Sequence, residues 1–147
     1  MKKIKTNWLY SQTVKEHFLN PKNVLWDETN YQADGKGTNG NPVCGDIMSV
    51  WIKVDEKTQK IKDCKWRTYG CASAIASTSM MSLIVTEKGG MPLKKALNLK
   101  PQEILKRLGG LPALKFHCSV LGQAALKEAI NDYFKKRKRN QKTEAFP

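Results

Sequence analysis

An α+β domain, a small three-stranded antiparallel sheet with helices packed on one side, is the fold class this sequence predicts. Two observations carry most of it. The segments "DIMSVWIKV" and "KIKDCKWRTYG" alternate apolar and polar residues and are joined by the polar "DEKTQ", the period-2 pattern of a hairpin with one buried face. After Gly70 the period changes to the 3-to-4 spacing of helices, punctuated by "EKGG" and "LGG". Helix first, then strands, then helices puts the helices together on one side of the sheet.

Each element has its own signature. In "LYSQTVKEHFLNP", Tyr10, Val14 and Phe18 recur at steps of four, Ser11 stands where a cap would, and Pro21 stops the run, so a short amphipathic helix is expected. Residues 22–45 are rich in Gly, Asn and Asp and read mostly as loop, with room for a short edge strand that would complete the sheet. Connections of that length are often functional. In the hairpin, Met48, Val50, Ile52 and Val54 share one face, as do Cys64, Trp66 and Thr68. "CASAIASTSMMSLIVTEKGG" opens on small residues, which suit close packing of its first turns, and stops at Gly89 and Gly90. "KPQEILKRLGG" has Pro101 near a first-turn position and Gly109 as its stop. The last helix is expected to start at a Ser119 cap and to bury Leu126, Ala129, Ile130 and Tyr133.

The chain of 147 residues is 40% apolar, enough for one core without disulfides. A single domain over 1–134 is expected, followed by a basic, disordered tail over 135–147. "MKKIKTNWLY" is basic, but no apolar run follows it, and nowhere do about 18 apolar residues stand together; the chain reads as cytoplasmic, with no membrane role. The net charge of +13 is partly local, in "KKRKRNQK" over residues 135–142. Such blocks are usually solvated extensions. With no RNA-binding aromatic signature, helix-turn-helix spacing or compact zinc-finger pairs, a direct nucleic-acid function is argued against.

Four cysteines, at 44, 64, 71 and 118, would remain thiols in a reducing compartment, so they read as metal ligands, reactive groups or small core residues. Cys44, Cys71 and Cys118 lie at the ends of expected elements, where sites are assembled on a rigid scaffold, and a thiol at a helix N-terminus has its thiolate favoured. Twenty-six residues lie between the first two and forty-six between the second two, which is not zinc-finger spacing. Cys64, alternating with Trp66 on a strand, reads as a small buried hydrophobe, and His17 as a surface or packing histidine. His117 and Cys118, side by side at a helix start, are both metal-competent. Asp46 alone would be an ordinary strand-edge carboxylate.

The segments "YSQTVKEHFLNPKNV", "NPVCGDIM", "TYGCASAIASTS" and "LPALKFHCSVLG", in this order, strongly resemble the iron-sulfur cluster scaffold family of the IscU and NifU N-terminal type, over about residues 10–136. The resemblance implies that Cys44, Asp46, Cys71, His117 and Cys118 hold iron, zinc or a nascent cluster. It implies a scaffold and not a turnover enzyme: a pyridoxal-phosphate cysteine desulfurase gives persulfide sulfur to a cysteine, with Cys118 favoured and Cys44 and Cys71 still open. A ferredoxin-type donor supplies electrons, and a transient 2Fe-2S cluster passes to apo acceptor proteins. Zinc would be an alternative occupant of the resting protein. Three thiolates leave one position for a harder donor, carboxylate or imidazole, and a cluster so held is easier to release.

The chaperone-recognition segment of the family, Leu-Pro-Pro-Val-Lys, corresponds to "LPALK" from Leu111 through Pro112 to Lys115. Loss of the second proline removes rigid extended character and weakens the expectation of an Hsp70-type chaperone. Cys64 and the basic balance also depart from the family. A zinc-dependent sulfur acceptor of the SufU type would use similar cysteines, but that branch carries an insertion after the strands and lacks a histidine directly before its last cysteine, so "FHC" argues against it. A nucleic-acid-binding zinc module is favoured only by charge and the tail.

Overall fold

A computed structural model describes residues 11–41, 46–110 and 116–145, and among them the side chains of residues 11–40, 47–110 and 120–139. The first helix, α1 (Gln12–Leu19), is capped as expected: the Ser11 hydroxyl oxygen accepts a hydrogen bond from the Val14 amide at 3.1 Å. Its buried face is Val14 and His17, however, and Phe18 is 42% exposed. Steps of three as well as four keep residues on one face, and here the step from Val14 to His17 is the one turned toward the next helix. Tyr10 lies outside the described residues.

The sheet has the order β1 (Gly35–Asn41), β2 (Asp46–Asp55), β3 (Lys60–Thr68), antiparallel throughout. The hairpin face is as expected, with Met48, Val50, Ile52, Val54 and Cys64 all buried. The edge strand β1 reads GKGTNGN and carries no apolar period. It forms because its glycines let a helix lie on its backbone: a Cβ at Gly37 would collide with the Ala125 carbonyl and the Ala129 amide, and one at Gly35 with the Ala129 carbonyl. The long segment before β1 is pinned to the free edge of β3. Leu25 N donates to Trp66 O at 2.8 Å, Trp66 N to Asn23 O at 3.1 Å, and the Trp66 indole N–H to Lys22 O at 2.7 Å. These bonds cover an edge that would otherwise be open to pairing.

Among the described residues four helices follow: α2 (Ala72–Thr86), α3 (Leu93–Leu97), α4 (Pro101–Leu108) and α5 (Phe116–Ala145). The short α3 has no counterpart in the sequence reading, since five residues are too few to show a period. α4 begins on Pro101 and ends at Gly109 with φ of 81°, as expected. α5 departs from expectation at both ends. It begins at Phe116, so Ser119 lies inside it and does not cap it. It also does not yield to a disordered tail after Phe134 but continues to Ala145. The reason is local: residues 123–145 hold no Gly or Pro and are rich in Lys, Arg, Gln and Glu, good helix formers, and Asp132 and Lys136 pair at 3.0 Å one turn apart. Leu126, Ala129, Ile130 and Tyr133 are buried as the spacing predicts.

Candidate functional site

β1 ends and β2 begins at one pole of the sheet, where Asn41 pairs with Asp46. Cys44 belongs to the connection between them and lies outside the described residues. β3 ends at the same pole. Thr68 stands opposite Met48, its hydroxyl donates to Ile47 O at 2.7 Å, and the Tyr69 amide donates to the same carbonyl at 3.3 Å. The Gly70 amide returns to the Thr68 hydroxyl at 3.0 Å, and the chain turns directly into α2. Cys71 is the N-cap of that helix, with extended backbone at φ −76° and ψ 177°, and its carbonyl accepts the first helical bond from Ile75 at 3.1 Å.

The third component is α5. Ala125 and Ala129 pack at Gly37, and Ala129 and Tyr133 at Gly35, so α5 runs antiparallel to β1, four helical residues for every two of strand. At about 1.5 Å rise per helical residue and about 3.3 Å per strand residue these advances match. Carried along β1 to Asn41, that register brings the first turn of α5, with His117 and Cys118, level with the Asn41–Asp46 pair. The positions of Asp46, Cys71, His117 and Cys118 therefore share one pole. The side chains of Asp46, His117 and Cys118 lie outside the described set, as do Leu111, Pro112 and Lys115 altogether.

Two helices open toward this pole with their N-termini, α2 at Cys71 and α5 near Cys118. The aligned peptide dipoles there favour an anionic occupant over a neutral one. Cys71 is half-buried, with part of its surface against the core. The pole also has apolar side chains facing solvent that the sequence reading did not pick out: Ile47, Tyr69 at 78% exposure and Val120. A signal was present for Ile47, which falls out of phase with the buried Met48 and Val50.

Cys64 and His17 behave as the sequence suggested. Cys64 is fully buried in the middle of β3, and burial, with the neighbouring Asp63 charge, pushes its thiol up to about 12. His17 is buried against α2, its Nδ1 2.6 Å from the Ser79 hydroxyl; burial first, then the Lys22 charge, lowers its pKa. It is a packing histidine two turns along α2 from Cys71.

Residues 9–140 match the family model of the NifU-like N-terminal domain. The chain belongs to that family. It is 47% identical over 128 residues to the Archaeoglobus fulgidus iron-sulfur cluster assembly scaffold protein IscU 1, covering 87% of this chain and 78% of the relative. It is 44% identical over 138 residues to the Aquifex aeolicus scaffold protein IscU, covering 94% and 84%. A solved NifU-like N-terminal structure from Brucella abortus superposes with a TM-score of 0.64 at 19% identity over 88% of this chain and 97% of that one, a likeness of fold. The three-stranded sheet with its helices is thus the architecture of this NifU-like family.

Proposed function

We propose that this NifU-like chain is a scaffold on which an iron-sulfur cluster is built and from which it is handed to other proteins, in the cytoplasm and without turning over a substrate of its own. The observation that carries the reading is the meeting of three element ends, the Asn41–Asp46 end of the β1–β2 pair, the α2 cap and the first turn of α5, at one pole of the sheet. Cys44, Cys71 and Cys118 supply thiolates to the cargo cluster, and Asp46 and His117 supply the harder donors. A donor set of that mixture binds iron and sulfide yet yields to an acceptor's cysteines more readily than four thiolates would. The rim of Ile47, Tyr69 and Val120 suits contact with partner proteins, since apolar and aromatic side chains anchor such interfaces.

Sulfur arrives on Cys118. Its thiolate attacks the outer sulfur of a desulfurase persulfide, the S–S bond breaks, and the desulfurase thiolate leaves, so the transfer itself is redox-neutral. Each transferred sulfur needs two electrons to become sulfide, and a ferredoxin-type donor provides them. Two irons and two sulfides then make the 2Fe-2S cargo. The working domain is 1–134; residues 135–147 take no part in assembly. Zinc can occupy the same donors in the resting protein.

Anaerobic incubation of the full chain with a cysteine desulfurase, cysteine, iron and reductant tests the proposal. Visible sulfide-to-iron absorption bands should develop, and mass spectrometry before iron is added should find persulfide mainly on Cys118. A protein that stays colourless and keeps stoichiometric zinc would overturn the scaffold role in favour of a zinc-dependent sulfur acceptor. Persulfide on Cys71 with Cys118 unmodified would reverse the assignment of the acceptor.

A further inference from the structure

The basic run that begins at Lys135 has no role in the pole described above. α5 leaves the core after Tyr133, the last buried residue described in it, and Lys135 to Arg139 are all exposed. At about 100° per residue, Lys135, Lys136, Arg137, Lys138 and Arg139 occupy the whole circumference of the helix. Lys136 also reaches back to Asp132 at 3.0 Å, an exposed pair of the kind that contributes little. Lys142 adds a further cation to the same segment. Along the axis, Arg137 is about 30 Å from His117.

Three kinds of anionic partner could meet such a segment, and its geometry separates them. A helix that lies on an anionic membrane needs an apolar face opposite its cations, and residues 135–139 provide none. A flat acidic protein surface engages one side of a helix and leaves the other cations unanswered. A nucleic-acid groove wide enough for a helix carries phosphates along both walls, and so answers cations on opposite sides at once. We propose that the C-terminal end of α5 binds nucleic acid through its phosphate backbone, without reading sequence. The sequence argued against such a function because it holds no RNA-binding aromatic signature, helix-turn-helix spacing or compact zinc-finger pairs; a helix holding cations all round needs none of these to meet phosphates. Because contact is made at the far end of α5, the pole carrying Cys71 stays open while the chain is bound.

The test is fluorescence anisotropy of a labelled 20-base-pair DNA duplex titrated with the full chain from 50 to 200 mM KCl. If about five cations each replace one counterion, log affinity falls with log salt at a slope of about −4.5, an affinity loss of about 500-fold across that range. The triple variant Lys135→Gln, Arg137→Gln, Lys138→Gln keeps good helix formers and should lower the magnitude of that slope by about 2.7. Its binding at 100 mM KCl should be at least about tenfold weaker, with cluster reconstitution unchanged. The variant Lys135→Arg, Arg137→Lys, Lys138→Arg should retain the native slope. An unchanged slope in the Gln variant would overturn the proposal. So would tighter binding of the chain to polyglutamate, or to phosphatidylglycerol vesicles, than to the duplex at equal salt.

Discussion

Cys64 and Cys71 lie seven positions apart in the chain and differ in almost every physical respect. Cys64 faces the core from the middle of β3, with no exposed surface and its thiol held up to about 12. Cys71 sits at the α2 N-cap, half-buried, where its thiol makes no capping hydrogen bond to the helix. An N-cap is a position where serine outperforms most residues in stability because its oxygen accepts an orphan amide. Cysteine in that place gives up a stabilising contact, and the middle of a strand gives up nothing by holding a small hydrophobe. The contrast teaches that the chemistry of a thiol here is set by its place on an element, end or middle, and not by the residue type.

The largest difference should appear in alkylation. At pH 8 a thiol with a pKa near 12 is ionised to about one part in ten thousand, so Cys64 should resist iodoacetamide in the native protein and react only on unfolding, while Cys71 is modified within the folded state. Peptide mapping after timed quenching reads both. Rapid native labelling of Cys64 would break the comparison.

A second, severalfold effect concerns the pole itself. A carboxylate among thiolates is the donor most readily displaced by water or by an acceptor's cysteine. Asp46→Ala should therefore give a cluster that bleaches more slowly and transfers more slowly to an apo-ferredoxin. Equal or faster decay would mean that Asp46 only shapes the turn into β2.

The smallest effect is on stability, and its sign is the informative part. Cys64→Ser buries a hydroxyl in an apolar site and should cost about 1–3 kcal/mol. Cys71→Ser places the preferred capping residue on α2 and should be neutral or stabilising by up to about 1 kcal/mol. Urea unfolding followed by circular dichroism would measure both. A destabilised Cys71→Ser would mark this cysteine as structural.

The parts of the fold that were legible in the sequence are those whose signals are local. The hairpin was readable because Met48, Val50, Ile52 and Val54 alternate without interruption, α1 because Ser11 and Pro21 bracket it, and α4 because Pro101 and Gly109 do. β1 was legible only as room for an edge strand somewhere in 22–45; its place was not, since it is set by the contact of α5 with Gly35 and Gly37, which joins residues about 90 apart in sequence. The strap over β3 depends likewise on tertiary bonds between Lys22, Asn23 and Trp66. The extension of α5 was hidden by its charge, because like charges suggest solvation although their side chains favour helix. At the site, spacing alone gave little, and the local segments around Cys44, Cys71 and Cys118 gave the family. What the backbone adds is the common pole for Asp46, Cys71, His117 and Cys118, which follows from register and helix rise and from no motif.

The most direct measurement of whether element-end cysteines hold the cluster is anaerobic reconstitution of four single variants, Cys44→Ser, Cys64→Ser, Cys71→Ser and Cys118→Ser, followed by visible absorption and sulfide analysis. Cys64→Ser should assemble nearly as much cluster as the native chain although it is less stable, and the other three should retain almost none. A folded Cys64→Ser that cannot assemble a cluster, or a Cys71→Ser that assembles one normally, would contradict the account.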